Sequence, residues 1–315
     1  AAAAVTRNPA YASGPQHVSA HDFSCGSGRG RGMVVSGRVT MNLTNGELTH
    51  NCGGGLLARD FMRDLAVAGT PAPRMYKGYL WNCPGMGIGH LKLRLSNTTV
   101  ANNTGSHGAG VMLALVFSSD VVIEKSTLRH NLALYSKGIA GEPFEGNFTQ
   151  SSGGGIAVAT MLKKASSVKL VDTIVHGNMA GVYGGGVALE GPGRVTMERC
   201  VISGNLCCGT GAGVYGVDAN VELNDTRIEG NRVDQLEASV MHEGHSYELH
   251  RAIESLSYTI DNQEALGPPS LQDYNNGPSG SRLYGNGGGV CIRLLTNLTM
   301  SHTVLRDNHA YAAGG

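Results

Sequence analysis

A chain of 315 residues is long enough for one large core or two ordinary domains. Lysine plus arginine equal aspartate plus glutamate at 24 each, and only 15% of residues are charged, which excludes an electrostatic footprint for nucleic acid or an anionic membrane. Forty-seven glycines beside one tryptophan and five phenylalanines suit tight turns and stacked aliphatics better than a compact α/β enzyme, and a 41% apolar fraction excludes a disordered chain.

Residues 1–36 read as an irregular N-terminal segment, whose "RGRG" at 29–32 is a Gly-rich flexible stretch. From residue 37 the chain is periodic. "VTMNLTNGELTHN" (39–51) is a copy of a motif with two extra residues, and "GGGLLA" follows at 53. Residues 59–92 interrupt the pattern. Six windows of eleven residues then align without gaps: "LRLSNTTVANN" (93–103), "VVIEKSTLRHN" (121–131), "VKLVDTIVHGN" (168–178), "VTMERCVISGN" (195–205), "VELNDTRIEGN" (221–231) and "LTMSHTVLRDN" (298–308). Positions 1, 3 and 8 are aliphatic or Met, position 6 is Thr, Ser or Cys, and position 11 is always Asn. A glycine element opening an alternating run follows the copies: "GAGVML" at 108, "GGGIAV" at 153, "GGGVAL" at 184, "GAGVYG" at 211 and "GGGVCI" at 287. Insertions fall at 132–152 and 232–286. Within the second, Leu249, Ile253 and Leu256 have helical spacing, which predicts a short helix. The chain stops at the start of another glycine element and opens without an initiator methionine, so it is expected to be a segment continuing beyond residue 315.

Alternation at positions 1 and 3 is the period-2 signature of a strand with one buried face, and about 27 residues have room for three short strands with turns. Such a unit cannot bury its apolar face alone and must stack on the next copy. The expected fold is all-β, a right-handed parallel β-helix over 37–315 with loop and short-helix insertions at about 59–92, 132–152 and 232–286. Stacking brings identical side chains into register, so Asn103, Asn131, Asn178, Asn205, Asn231 and Asn308 are expected to form an amide ladder. Glycines are expected to supply the positive φ of the corners, and position 6 to bond locally where the coil bends.

The pairing of a glycine–aliphatic element with aliphatic-x-x-Asn resembles the chlamydial polymorphic outer-membrane proteins. Their repeats are GGA[ILV] and FxxN on a pectin-lyase-like β-helix, and here Val100, Leu128, Val175, Ile202, Ile228 and Leu305 stand where that family has Phe. The resemblance covers most of 37–315 outside the insertions. It implies surface display and adhesion, and similar repeats occur in large extracellular proteins of algae and protists.

Six N-x-S/T sequons lie at Asn42, Asn97, Asn102, Asn147, Asn224 and Asn297, and none is a ladder asparagine. Asn42 and Asn224 are read at position 4, outward by parity, which fits glycosylation in the secretory pathway. Of the seven cysteines, Cys25, Cys52 and Cys83 are disulfide candidates for stapling the irregular first part, and Cys200 takes a Thr position as a buried thiol. No C-x-x-C suggests zinc.

Signals for chemistry are weak. No Asp-Asp pair exists, "SHG" (106–108) and "RIE" (227–229) stand where polygalacturonase-like enzymes have Gly-His-Gly and Arg-Ile-Lys, and acidic residues are scattered singly. "GAGVYG" matches G-x-G-x-x-G only as a glycine element. "HEGHSYELH" (242–250) is one residue short of H-E-x-x-H. The expected function is non-enzymatic: a stiff spacer in a surface filament, ciliary coat or cell wall. No catalytic residue, metal or cofactor is expected. Its partners would be other copies or other extracellular structural proteins, and N-glycans; no nucleic acid and no membrane span are expected. The alternatives are a polysaccharide-active lyase or hydrolase and an intracellular scaffold.

Overall fold

A computed structural model describes residues 4–6, 32–60, 75–76, 79–80, 90–105, 108–133, 152–160, 166–181, 183–207, 209–233, 287–293 and 297–310. Among these the chain is all-β, and it is a parallel β-helix. Each coil contributes to four parallel sheets. Sheet I carries positions 1–4 and its flanks, in seven strands from Thr40–Thr44 to Asn297–Ser301. Sheet II carries positions 7–9 in eight strands, from Ala4–Thr6 to Val304–Arg306. Sheet III is five two-residue strands just after the position-11 asparagine, from Thr104–Gly105 to Arg232–Val233. Sheet IV is seven strands that follow the glycines, from Met33–Ser36 to Val290–Arg293. Seven strands span six spacings of about 4.8 Å, or roughly 29 Å along the axis. A separate antiparallel pair joins Met75–Tyr76 to Tyr79–Leu80.

The coil therefore has four strands, where the spacing suggested three. Sheet III is invisible to hydrophobic periodicity because two residues cannot show a period. It also trims the insertions: Leu132–Ala133 and Arg232–Val233 pair with Met179–Ala180 and Leu206–Cys207, so the chain leaves the coil after 133 and 233. Likewise, parts of the expected irregular segment 1–36 are coil, with Ala4–Thr6 on Glu47–Thr49 and Met33–Ser36 on Leu56–Arg59. The expected helix at 246–256 lies outside the described residues.

Register corrects the first copy. Met41 pairs with Leu93, Leu43 with Leu95, and Leu48 with Val100. The copy is thus the ungapped window 41–51, with Gly46 at position 6, and Asn42 sits at position 2 opposite Arg94. Asn224 alone of the two holds position 4, opposite Glu198 and Ser301. The outward parity of Asn42 is unchanged, because positions 2 and 4 share a face.

One apolar core fills the coil interior. Position 1 stacks as Leu93, Val121, Val168, Val195 and Val221; position 3 as Leu95, Ile123, Leu170, Met197 and Leu223; position 8 as Leu48, Val100, Leu128, Val175, Ile202 and Ile228. Sheet IV closes the interior with Leu56, Val111, Ile156, Val187 and Val214. Each such side chain contributes about 1.5–3 kcal/mol on burial, and only stacking removes its upper and lower faces from water.

The corners depart from the glycine expectation. Position 5 has positive φ in every coil, on Asn45, Asn97, Lys125, Asp172, Arg199, Asp225 and His302. Position 10 has it on His50, Asn102, His130 and Asp307 as well as on Gly177, Gly204 and Gly230. Asn and Asp tolerate the left-handed region, while Lys125, Arg199 and the histidines are held there by parallel pairing on either side of the bend. In the glycine elements the first glycine has positive φ, at Gly53, Gly108, Gly153, Gly184, Gly211 and Gly287, and the second has it at Gly54 alone. The third is required by contact: a Cβ on Gly155 would lie 2.7 Å from the Gly186 carbonyl oxygen and 3.0 Å from Asn178 Nδ2.

Candidate functional site

The side chains repeated in every coil form two internal ladders. Asn51, Asn103, Asn131, Asn178, Asn205, Asn231 and Asn308 are linked head to tail, each Nδ2 donating to the next Oδ1 at 2.9–3.0 Å. The same Oδ1 accepts the backbone N–H of the preceding rung, as in Asn131 N to Asn178 Oδ1 at 3.0 Å. The second Nδ2 hydrogen goes back one coil to the position-8 carbonyl, as from Asn178 to Leu128 at 2.9 Å. An interior asparagine thus uses both donors and both lone pairs, the full capacity of a primary amide. The six asparagines from Asn51 to Asn231 are buried, and Asn308 is half-buried.

Position 6 makes the second ladder. Thr173 Oγ1 donates to the Val171 carbonyl two residues back and lies 3.1 Å from the Ile123 carbonyl of the preceding coil. Thr98, Thr226 and Thr303 repeat both contacts, while Cys200 Sγ reaches its two carbonyls only at 3.5 Å. Burial pushes the Cys200 thiol up to about 11, so it stays protonated.

Outside the coil, ion pairs step diagonally between neighbouring strands of sheet I. Arg94 meets Glu124 at 2.7 Å, Lys169 meets Glu198 at 2.7 Å, and Arg194 meets Glu222 at 2.8 Å. At the position-5 corner, Arg199 holds Asp172 at 2.7 Å and also pairs with Glu198. Hydrogen bonds from these cations hold Glu124, Asp172 and Glu198 below the usual carboxylate range. Exposed pairs of this kind are screened by solvent and add little to stability.

The sequon asparagines occupy the outside. Asn42, Asn97, Asn102 and Asn297 are exposed and Asn224 is half-exposed; Asn147 lies outside the described residues. Asn97 and Asn297 donate Nδ2 to Asn45 Oδ1 at 2.7 Å and Asn220 Oδ1 at 2.8 Å, leaving one amide hydrogen each. Cys52 is disulfide-bonded, while Cys200, Cys207 and Cys291 form no disulfide. The other two disulfide candidates, Cys25 and Cys83, lie outside the described residues.

One constellation escaped the sequence reading. On the outer face of sheet IV, Glu190, Tyr215 and Arg293 come from three successive coils. Tyr215 stacks on Tyr183 with ring centroids 4.6 Å apart and an interplanar angle of 15°, and it hydrogen-bonds Arg293. Burial, with Asp218 adding repulsion, pushes Glu190 up to about 7. These residues belong to glycine elements and the turns around them, and only the register of the coils reveals that they are neighbours. Two further groups serve the scaffold. Buried Asp60 accepts Val116 N–H at 2.8 Å, Phe117 N–H at 2.8 Å and the Ser119 hydroxyl at 2.7 Å, fixing the turn of the next coil. His130 and His176 meet edge to face at 5.9 Å, and desolvation lowers the proton affinity of His130. The "HEGHSYELH" cluster and Trp81 lie outside the described residues. Among the described residues no group of three or more His, Cys, Asp or Glu could hold a metal ion, and no helix is long and apolar enough to cross a membrane.

Comparison with protein-family models, with curated proteins and with solved structures finds no match.

Proposed function

We propose that the chain is a structural and adhesive β-helix segment of a large extracellular glycoprotein, a stiff spacer in a surface filament, ciliary coat or cell wall. The observation that carries this reading is the separation of its asparagines: seven ladder members, six of them buried, face inward and are spent on hydrogen bonds, while the five described sequon members face outward. The disulfide at Cys52 supports an oxidising compartment. The similarity of the glycine and aliphatic-x-x-Asn elements to polymorphic outer-membrane repeats supports display at a surface, with other copies or other extracellular structural proteins as partners. Stiffness follows from continuous hydrogen bonding along the axis, both backbone and amide. Glycopeptide mass spectrometry on the native protein tests the reading. Glycans on Asn42, Asn97 or Asn224 with bare ladder asparagines are expected; six bare sequons would refute the secretory route.

A second reading, a polysaccharide-active enzyme, is favoured by Glu190 alone. Its carboxyl, raised to about 7 by burial, lies in the range in which a glycosidase's general acid works, and a second carboxyl, Asp218, is close enough to add repulsion. Release of reducing ends from uronate or neutral polysaccharides, abolished by Glu190→Gln, would favour this reading over the structural one.

A further inference from the structure

The five described sequons differ in whether the folded coil leaves the hydroxyl of the third residue accessible. N-Glycosylation needs both the asparagine amide and that hydroxyl. In Asn42-Leu43-Thr44 and Asn297-Leu298-Thr299, the asparagine and the threonine sit two residues apart on sheet I strands, and all four are exposed. Asn224-Asp225-Thr226 is built otherwise. Asn224 points outward at position 4, Asp225 takes the left-handed corner, and Thr226 turns inward at position 6 with no exposure. Its hydroxyl donates to the Asn224 carbonyl at 3.0 Å and lies 3.2 Å from the Met197 carbonyl of the preceding coil, and Cys200 N–H approaches it at 3.4 Å.

We propose that Asn224 is a modification site open only before its coil is stacked on both sides, so that its occupancy records the time between synthesis and stacking of that coil. The proposal rests on the secretory reading for its occurrence in the cell. Both groups that cover the Thr226 hydroxyl from outside the sequon, Met197 and Cys200, precede Asn224 in the chain. On the other side the strand Val304–Arg306 of the next coil stacks on this one, Val304 N–H donating to the Thr226 carbonyl, and Thr303, with no described coil beyond it, stays half-exposed, so the site closes fully only when that later coil docks. A glycan already in place is no obstacle, because the Asn224 side chain leaves the coil on its outer face. Asn224 is therefore expected to be partly occupied in a population in which Asn42 is nearly full.

The test uses the full chain in two states with oligosaccharyltransferase and lipid-linked oligosaccharide, read by site-resolved glycopeptide mass spectrometry. In one arm the chain is translated into microsomes; in the other it is made without glycans, folded, and then given to the solubilised enzyme. Asn224 should be modified in the first arm and, in the second, at least about tenfold more slowly than Asn42, since reaching Thr226 requires local opening. Modification of folded Asn224 at the rate of Asn42, or no modification during translation, overturns the proposal. Both arms are run in vitro, so bare sequons on the native protein would refute the secretory reading without altering this result.

Discussion

Replacing Asn178 by Ala removes one interior rung. Its side chain accepts Asn131 N–H and Asn131 Nδ2–H at 3.0 and 2.9 Å, and donates to Leu128 O and Asn205 Oδ1 at 2.9 and 3.0 Å. Asn205 Oδ1 keeps the Asn178 backbone N–H, but two hydrogens of Asn131 and the Leu128 carbonyl lose a buried partner. At about 1–2 kcal/mol each, the loss is about 3–6 kcal/mol, a large share of the stability of an ordinary domain. Asn308→Ala, at a half-buried rung that water reaches, should cost only about 1 kcal/mol. Asn178→Asp separates hydrogen bonding from shape. Its second oxygen faces Leu128 O and Asn205 Oδ1, so the folded state favours the protonated acid and raises its pKa above the unfolded value of about 3.9. The deficit of this variant should therefore shrink as pH falls towards 4 and be complete above the folded pKa. Guanidinium unfolding followed by circular dichroism gives all three values. Equal costs for Asn178→Ala and Asn308→Ala, or a pH-independent Asp variant, would refute the ladder argument.

Gly155→Ala and Gly154→Ala should each cost at least about 2 kcal/mol, the first by pressing on the Gly186 carbonyl and the ladder and the second because its Cβ would overlap the carbonyl oxygens of Gly185 and Met179; thermal melts measure both. Cys200→Thr should stabilise by about 0.5–1 kcal/mol, since a hydroxyl at this position reaches both carbonyls that sulfur meets only at 3.5 Å. In the native chain a thiol reagent should label half-exposed Cys291 before Cys200, with time-resolved peptide mapping as the readout. Glu190, raised to about 7 from an ordinary value of 4.5, favours the folded state below pH 4.5 and loses that contribution as pH rises through 7. Glu190 should make the unfolding free energy on the order of 2 kcal/mol larger at pH 5 than at pH 8, and Glu190→Gln should remove that contribution.

The repeat was legible because stacking makes each position face the same surroundings, and Asn at position 11 tolerates no substitute that both donates and accepts twice. What remained hidden followed from three physical facts. Gly46 stands where later coils have Thr, Ser or Cys, so the first copy shows no position-6 signal, and Val39 offered a false apolar start two residues early. The corners at Lys125 and Arg199 have no local signature, because parallel pairing on both sides imposes a conformation that neither residue prefers. The Glu190–Tyr215–Arg293 group belongs to no spacing within the sequence, and one of its intervals crosses the insertion at 234–286.

Each interior ladder asparagine presents the same acceptor to the rung behind it and the same donors to the rung ahead, at intervals of 27 and 26 residues between Asn178, Asn205 and Asn231. An in-frame tandem duplication of one such interval would place a new rung between two neighbours already shaped to receive it. The interruptions at 134–151 and 234–286 both leave the solenoid between sheets III and IV, and that at 61–89 leaves it between sheets IV and I. Evolution can thus lengthen this molecule by whole rungs and decorate it at its corners, two kinds of change that need not interfere with each other.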